Sequence, residues 1–146
     1  MTLHVRGATA ADLPALRDLF LRSRRAAFSW EPPEIFALAD FEAQTRGEAQ
    51  WVAVGASGQL VGFASVWMPE HFLHHLYVDP ARLRDGVGRA LLQALPGWPA
   101  TRYRLKCLTR NLRALAFYRA CGFVEVGAGT ADDGDYLLLA SPDGGG

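Results

Sequence analysis

Long apolar runs are missing from this chain of 146 residues. No stretch approaches the ~20 consecutive apolar residues that cross a bilayer as a helix, so no membrane span is expected. The start, Met1-Thr2-Leu3-His4-Val5-Arg6, has no apolar block followed by small residues. No secretion signal is therefore expected, and a cytoplasmic location is. Cysteine is scarce as well: Cys107 and Cys121 form no CxxC and sit among apolar neighbours. They read as small buried thiols in a reducing compartment, not as a disulfide framework. His71, His74 and His75 fall on one extended segment with no cysteine or carboxylate at ligand spacing, so no metal site is expected. Net charge is also absent, at +0, which argues against nucleic acid as the main partner. Lysine is nearly lacking, since Lys106 stands alone against fourteen arginines. With abundant alanine, that bias suggests a GC-rich bacterial genome.

What is present suits one soluble domain. Half the residues are hydrophobic and 21% are charged, and the length is enough to bury a real core. We find no repeat, low-complexity block or linker. The chain reads as one domain over 1–140 with a flexible tail over 141–146. Leu3 to Arg6 reads as a strand. Thr9 and Asp12 resemble a capping box that opens a helix running to Arg25, with Leu13, Leu16, Leu19 and Phe20 as its apolar stripe. Glu34 to Thr45 reads as a second helix, with Ile35, Leu38 and Phe41 on one face. Gln50 to Gly55, a Ser57-Gly58 turn and Leu60 to Trp67 read as a β-hairpin. His71 to Val78 is a further strand, Val87 to Leu95 a helix, Arg102 to Leu108 a strand and Asn111 to Cys121 a helix ended by Gly122. Phe123 to Gly127 and Tyr136 to Ala140 close the chain as strands. This order predicts a mixed α/β (α+β) fold, with a mostly antiparallel central sheet of about seven strands flanked by four helices.

Charge is unevenly spread. From Arg82 to Arg119 nine basic side chains face one acid, Asp85, a net of +8. Such a half in a neutral chain suits a small polyanionic ligand; the plain alternative is arginine on solvated faces. The strongest local signal lies there. A β-rich run, Leu76-Tyr77-Val78, passes through Asp79-Pro80 into a basic turn, then Gly86-Val87-Gly88-Arg89 and an Ala/Leu helix. Two glycines let the backbone approach a ligand and take unusual dihedrals. The helix behind them offers unpaired N–H groups and a positive dipole end. Together they read as a diphosphate cradle. This is not a Walker A loop, because no Gly-Lys-Ser/Thr follows. Nor is it the dinucleotide GxGxxG, because Leu91 replaces the third glycine.

In these residues the chain resembles the GNAT superfamily of acetyl-CoA-dependent N-acetyltransferases. Its Arg/Gln-x-x-Gly-x-Gly/Ala signature corresponds to Leu83-Arg84-Asp85-Gly86-Val87-Gly88, with Leu83 in place of the usual Arg or Gln. A second block, Asn111-Leu112-Arg113-Ala114-Leu115-Ala116-Phe117-Tyr118-Arg119-Ala120-Cys121-Gly122-Phe123, resembles the family's Asn-x-x-Ala-x-x-Phe-Tyr-x-x-x-Gly-Phe. The resemblance is clearest from Leu60 to Val126 and weakest before Gln50.

The resemblance implies direct transfer of acetyl from acetyl-CoA to a primary amine, with no metal, no membrane and a possible homodimer. It implies two parallel strands that splay apart around the pantetheine arm. Leu76, Tyr77 and Val78 would meet that arm. Arg84, Asp85, Gly86, Val87, Gly88 and Arg89 would hold the diphosphate. Asn111, Ala114 and Phe117 would line the pantetheine side, and Tyr118 would protonate the leaving thiolate. His74 is the candidate base, Glu70 acting through water the reserve, and His75 follows. By period two, His74 shares a face with Phe72, Leu76 and Val78, while His75 faces the other way. The aromatics between Phe28 and Phe36 would wall the acceptor side, with Glu31, Glu34 or Asp40 attracting an ammonium. Two other readings stay open: a catalytically silent acyl-CoA-binding module on the same fold, and an unrelated nucleotide-phosphate binder.

Overall fold

The computed structural model describes residues 3–142. In chain order its elements are β1 (His4–Gly7), α1 (Leu13–Ala27), α2 (Asp40–Thr45), β2 (Ala49–Val54), β3 (Leu60–Trp67), β4 (Phe72–Val78), α3 (Val87–Ala94), β5 (Arg104–Leu108), α4 (Leu112–Ala120), β6 (Val124–Ala131) and β7 (Gly134–Ala140). The seven strands make one sheet in the order β1-β2-β3-β4-β5-β7-β6. Every neighbouring pair is antiparallel except β4 and β5. Mixed α/β architecture with a seven-stranded sheet and four helices is thus what the sequence pattern predicts.

The two faces of the sheet carry separate cores. One packs Leu16, Leu19 and Phe20 of α1 and Phe41 of α2 on Val52 and Phe63. Phe20 is fully buried and meets Phe41, Phe63, His75 and Tyr77 edge-on, with centroids 5.1 to 5.8 Å apart. Such aromatic pairs add ~0.5–1.5 kcal/mol each beyond the area they bury. The other face packs Leu91, Leu92 and Leu95 at α3, and Leu115 and Tyr118 of α4, on Leu73, Leu105 and Leu139. α1 begins where Asp12 accepts from the Thr9 N–H at 2.8 Å and from both ends of the Arg6 guanidinium. The Arg6 pairing holds the Asp12 carboxyl down at about 2.

Three expectations are corrected. The second helix is not continuous from Glu34: a 3-10 turn spans Pro33–Ile35, Phe36 is extended, and α2 covers only Asp40–Thr45. The cause is side-chain competition for the backbone. Arg25 donates to the Pro33 and Phe36 carbonyls, and Asp40 accepts from the Ala37 N–H at 3.0 Å. Ile35 and Leu38, expected on one helix face with Phe41, are therefore 55% and 50% exposed, while Phe41 is buried. Second, Ser141 does not begin a loose tail. It is fully buried, its Oγ accepts from the Tyr103 N–H at 2.7 Å, and its own N–H donates to the Tyr103 carbonyl. The rest of the expected tail, residues 143–146, lies outside the described residues, as do Met1 and Thr2. Third, β6 runs on to Ala131 and pairs with β7 down to Ala131 opposite Gly134. The sheet's last hairpin therefore turns at Asp132-Asp133.

Two features open a site. β4 and β5 share one registered pair, Phe72 opposite Arg104, backed by the Arg104 N–H donating to the His71 carbonyl at 3.1 Å. Beyond it the strands part, and among the described residues no β5 partner meets β4 from Leu76 to Val78. The second feature is a β-bulge. Against β3, Ser65 pairs with His75 but Val66 pairs with Leu73, so His74 is the extra residue. A bulge bends its strand and sharpens the local twist, and this one lies where β4 leaves β5.

Candidate active site

The gap between β4 and β5 opens into two clefts. The first, of about 650 Å³, runs from the loop before α3 to α4. The second, of about 630 Å³, opens toward the α1–α2 loop and the β6–β7 turn. They share Trp30, Leu76, Tyr77, Asn111, Ala114 and Tyr118. The clefts therefore meet at residues of β4 and α4, Leu76 and Tyr118 among them, with Trp30 of the α1–α2 loop. Trp30 packs on Phe28 at 5.6 Å, and the Arg110 guanidinium lies 4.8 Å over its ring. This contact ties the α1–α2 loop to the start of α4.

The loop between β4 and α3 is wound tightly. Asp79 Oδ1 accepts from the Ala81 N–H at 2.9 Å, and the Arg82 N–H donates to the Asp79 carbonyl at 2.7 Å. Arg84 and Gly86 follow with φ of 79° and 80°. That left-handed conformation favours glycine. A Cβ on Gly86 would meet nothing within 4 Å, so the bare Cα faces open cleft. At Gly88 a Cβ would stand 2.8 Å from Phe117 Cζ. Glycine there lets α4 close onto α3, which narrows the cleft behind the loop. The first N–H groups of α3 have no acceptor within the helix, and Arg82, Arg84, Arg110 and Arg113 line the same cleft. A diphosphate fits this set: free N–H donors, a positive helix end and guanidinium groups.

The structure brings most of the expected cofactor residues to that wall. Leu76, Tyr77, Val78, Arg84, Gly86, Val87, Gly88, Asn111, Ala114 and Phe117 all line it, whereas Asp85 and Arg89 do not. Asn111 has a structural task too, because its Oδ1 accepts from the Ala114 N–H at 3.3 Å and caps α4. Its amide NH₂ is what is left for a ligand. Tyr118 lines both clefts while only 8% exposed. Phe117 and Phe123 hold its ring, each at 5.2 Å. Burial pushes its phenol well above the ordinary tyrosine value, so the hydroxyl keeps its proton and has it to donate.

His74 and His75 both line the second cleft. Strict alternation would put them on opposite faces; the bulge at His74 overturns that expectation and brings the two rings to 3.9 Å. His75 is 6% exposed and packs against Phe20. Burial, with electrostatic repulsion from the neighbouring His74 and Arg24 adding to it, pushes its pKa down to about 3. It stays neutral, and because the Gln44 carbonyl only accepts, Nε2 carries its hydrogen. Glu70 sits exposed on the turn after β3 and lines neither cleft. Of the acids proposed to attract an ammonium, Glu31 lines the second cleft, and Glu34 and Asp40 do not. Asp40 instead pairs with the buried Arg24 at 2.7 Å.

Several residues of the site carried no local signal. Asp132, Asp133 and Tyr136 reach the second cleft from the last hairpin, and Lys106 stands 4.8 Å over the Tyr136 ring. Arg24 lies between the rings of Phe20 and Phe36, at 4.0 and 4.8 Å. Glu48 meets His74, and with His75 the three place possible metal-ligating atoms within 4.8 Å of one another. The absence of a nearby carboxylate, inferred from spacing along the strand, is thus corrected by a residue from another element. In the structure these donors are committed to hydrogen bonds: Glu48 to Ser65 and His74, His75 to Gln44.

Comparison with known proteins agrees with this geometry. The model of the Acetyltransferase (GNAT) family matches residues 13–123. The peptidyl-lysine N-acetyltransferase YiaC of Escherichia coli (strain K12) is 30% identical over 138 residues, 88% of each chain. The aminoglycoside N(6')-acetyltransferase type 1 of Stenotrophomonas maltophilia is 33% identical over 136 residues, 83% of this chain and 86% of that one. Among solved structures, apo YjaB from Escherichia coli superposes with a TM-score of 0.77 at 26% identity, covering 97% of this chain and 98% of the other. The chain belongs to the GNAT family of acetyltransferases and is an acyltransferase.

Proposed function

We propose that the protein moves the acetyl group of acetyl-CoA onto a primary amine by direct attack, with His74 as base and Tyr118 as acid. The observation that carries this reading is the meeting of two clefts at Tyr118 and Leu76. The basic, glycine-lined cleft suits the CoA diphosphate and pantetheine arm. The cleft holding Glu31, Asp132 and Asp133 suits an ammonium. An acetyl group held at the joint lies within reach of both.

An alkylamine has a pKa near ~10.4 and is mostly ammonium at neutral pH. It must shed a proton before its lone pair can attack, and His74 lines the cleft through which it would enter. The N–C bond forms as the C–S bond breaks. The amine proton goes to His74, and the leaving thiolate is met by the Tyr118 hydroxyl. A phenol pushed up by burial gives its proton reluctantly, so its first service is a hydrogen bond to sulfur as charge develops there. The two relatives are named for acetylating a peptidyl lysine and an aminoglycoside nitrogen, which supports an amine acceptor and leaves its body open.

The test is CoA thiol release with a panel of lysine peptides, aminoglycosides and simple alkylamines. We expect at least one amine to accelerate release above the protein-free rate. If none does, while acetyl-CoA still raises the melting temperature, the protein is an acyl-CoA-binding module without turnover.

A further inference from the structure

Glu48 lies between α2 and β2, 26 residues before His74 in the chain. The fold puts its Oε2 2.7 Å from His74 Nδ1, and its Oε1 accepts from Ser65 Oγ. Only 8% of the Glu48 side chain is exposed, against 42% of His74. Ser65 is fully buried and pairs with His75 directly beside the bulge. The backbone irregularity that turns His74 toward the second cleft therefore also aligns the hydroxyl that anchors its carboxylate partner. Beneath the imidazole lies the neutral His75 ring, tied to the end of α2 through Gln44.

A carboxylate only accepts, so His74 Nδ1 carries a hydrogen, and in the neutral ring the lone pair is then on Nε2. Without the carboxylate the imidazole would divide between two tautomers and two ring flips. We propose that Glu48 is the positioning residue for His74, holding the base in the tautomer that offers Nε2 to the acceptor amine and pairing with the imidazolium that forms. The proton leaves the amine nitrogen, lands on Nε2, and the resulting cation stays beside Glu48. The charged groups lining the cleft beside the two histidines are Arg24 on α1, Glu31, Lys106 on β5, and Asp132 and Asp133; Glu48 does not line it but is the one bonded to the ring. The proposal rests on the reading of His74 as the base.

The experiment is a double-mutant cycle on kcat with E48Q, H74A and the pair, under saturating acetyl-CoA. H74A and E48Q are each expected to lower kcat on the order of tenfold or more, with the KM for acetyl-CoA within about twofold of wild type. The pair should be no slower than H74A alone, since Glu48 acts through His74. A merely structural Glu48 would slow the H74A background as much as it slows wild type. Nitrogen NMR of His74 reads the same point without turnover: protonated Nδ1 in the wild type, a mixture in E48Q. Loss in H74A with an unchanged rate in E48Q, additive losses in the pair, or an unchanged tautomer would overturn the role of Glu48 alone. A wild-type rate in H74A would overturn the base reading and this proposal with it.

Discussion

Replacing Gly86 by valine is expected to weaken acetyl-CoA binding on the order of a hundredfold or more while leaving the fold in place. Two effects combine. The position has φ of 80°, where an ordinary L-residue costs about 1–2 kcal/mol and a β-branched one more. A Cβ there meets no protein atom within 4 Å, so the new side chain does not disturb the core. It projects instead into the space that a diphosphate must enter to reach the N–H groups at the start of α3. A loss of about 3 kcal/mol corresponds to that hundredfold. Calorimetric titration with acetyl-CoA measures it directly, and thermal unfolding without ligand serves as the control. Binding within threefold of wild type would mean that the diphosphate does not lie on this loop.

The second large effect is on turnover. Tyr118→Phe should lower kcat on the order of tenfold or more, with the KM for acetyl-CoA within about twofold. The ring is held by Phe117 and Phe123, and phenylalanine keeps those contacts, so the change isolates one hydroxyl. Tyr118 lines both clefts, and in the proposed reaction its hydroxyl meets the sulfur as charge develops there. Steady-state kinetics with the best amine of the panel decides the matter. A variant that turns over at the wild-type rate removes Tyr118 from the path of the leaving group.

These expectations were readable from sequence to different depths, for physical reasons. The cradle and α4 are local: Gly86, Gly88, Asn111 and Tyr118 act within their own strand–loop–helix segments, so their spacing carries their geometry. The acceptor side is not local. Glu48 reaches His74 across β2 and β3, and Asp132 and Asp133 arrive from a hairpin whose first strand, Val-Glu-Val-Gly-Ala-Gly-Thr-Ala, is largely exposed and has no clean apolar alternation. The bulge at His74 leaves no trace in a run as regular as Phe72-Leu73-His74-His75-Leu76-Tyr77-Val78, yet it decides which histidines share a side. The α1–α2 region misled for another reason. Helical spacing at Ile35, Leu38 and Phe41 is real, but Arg25 and Asp40 draw off the backbone groups that a helix would need.

A crystal structure with bound CoA tests the central claim most directly. It should show the diphosphate on the N–H groups of Gly86 to Gly88 and the sulfur within about 3.5 Å of the Tyr118 hydroxyl, facing the cleft that holds His74. A CoA whose phosphates lie away from the Arg84–Gly88 loop, or whose sulfur points away from Tyr118, would contradict it.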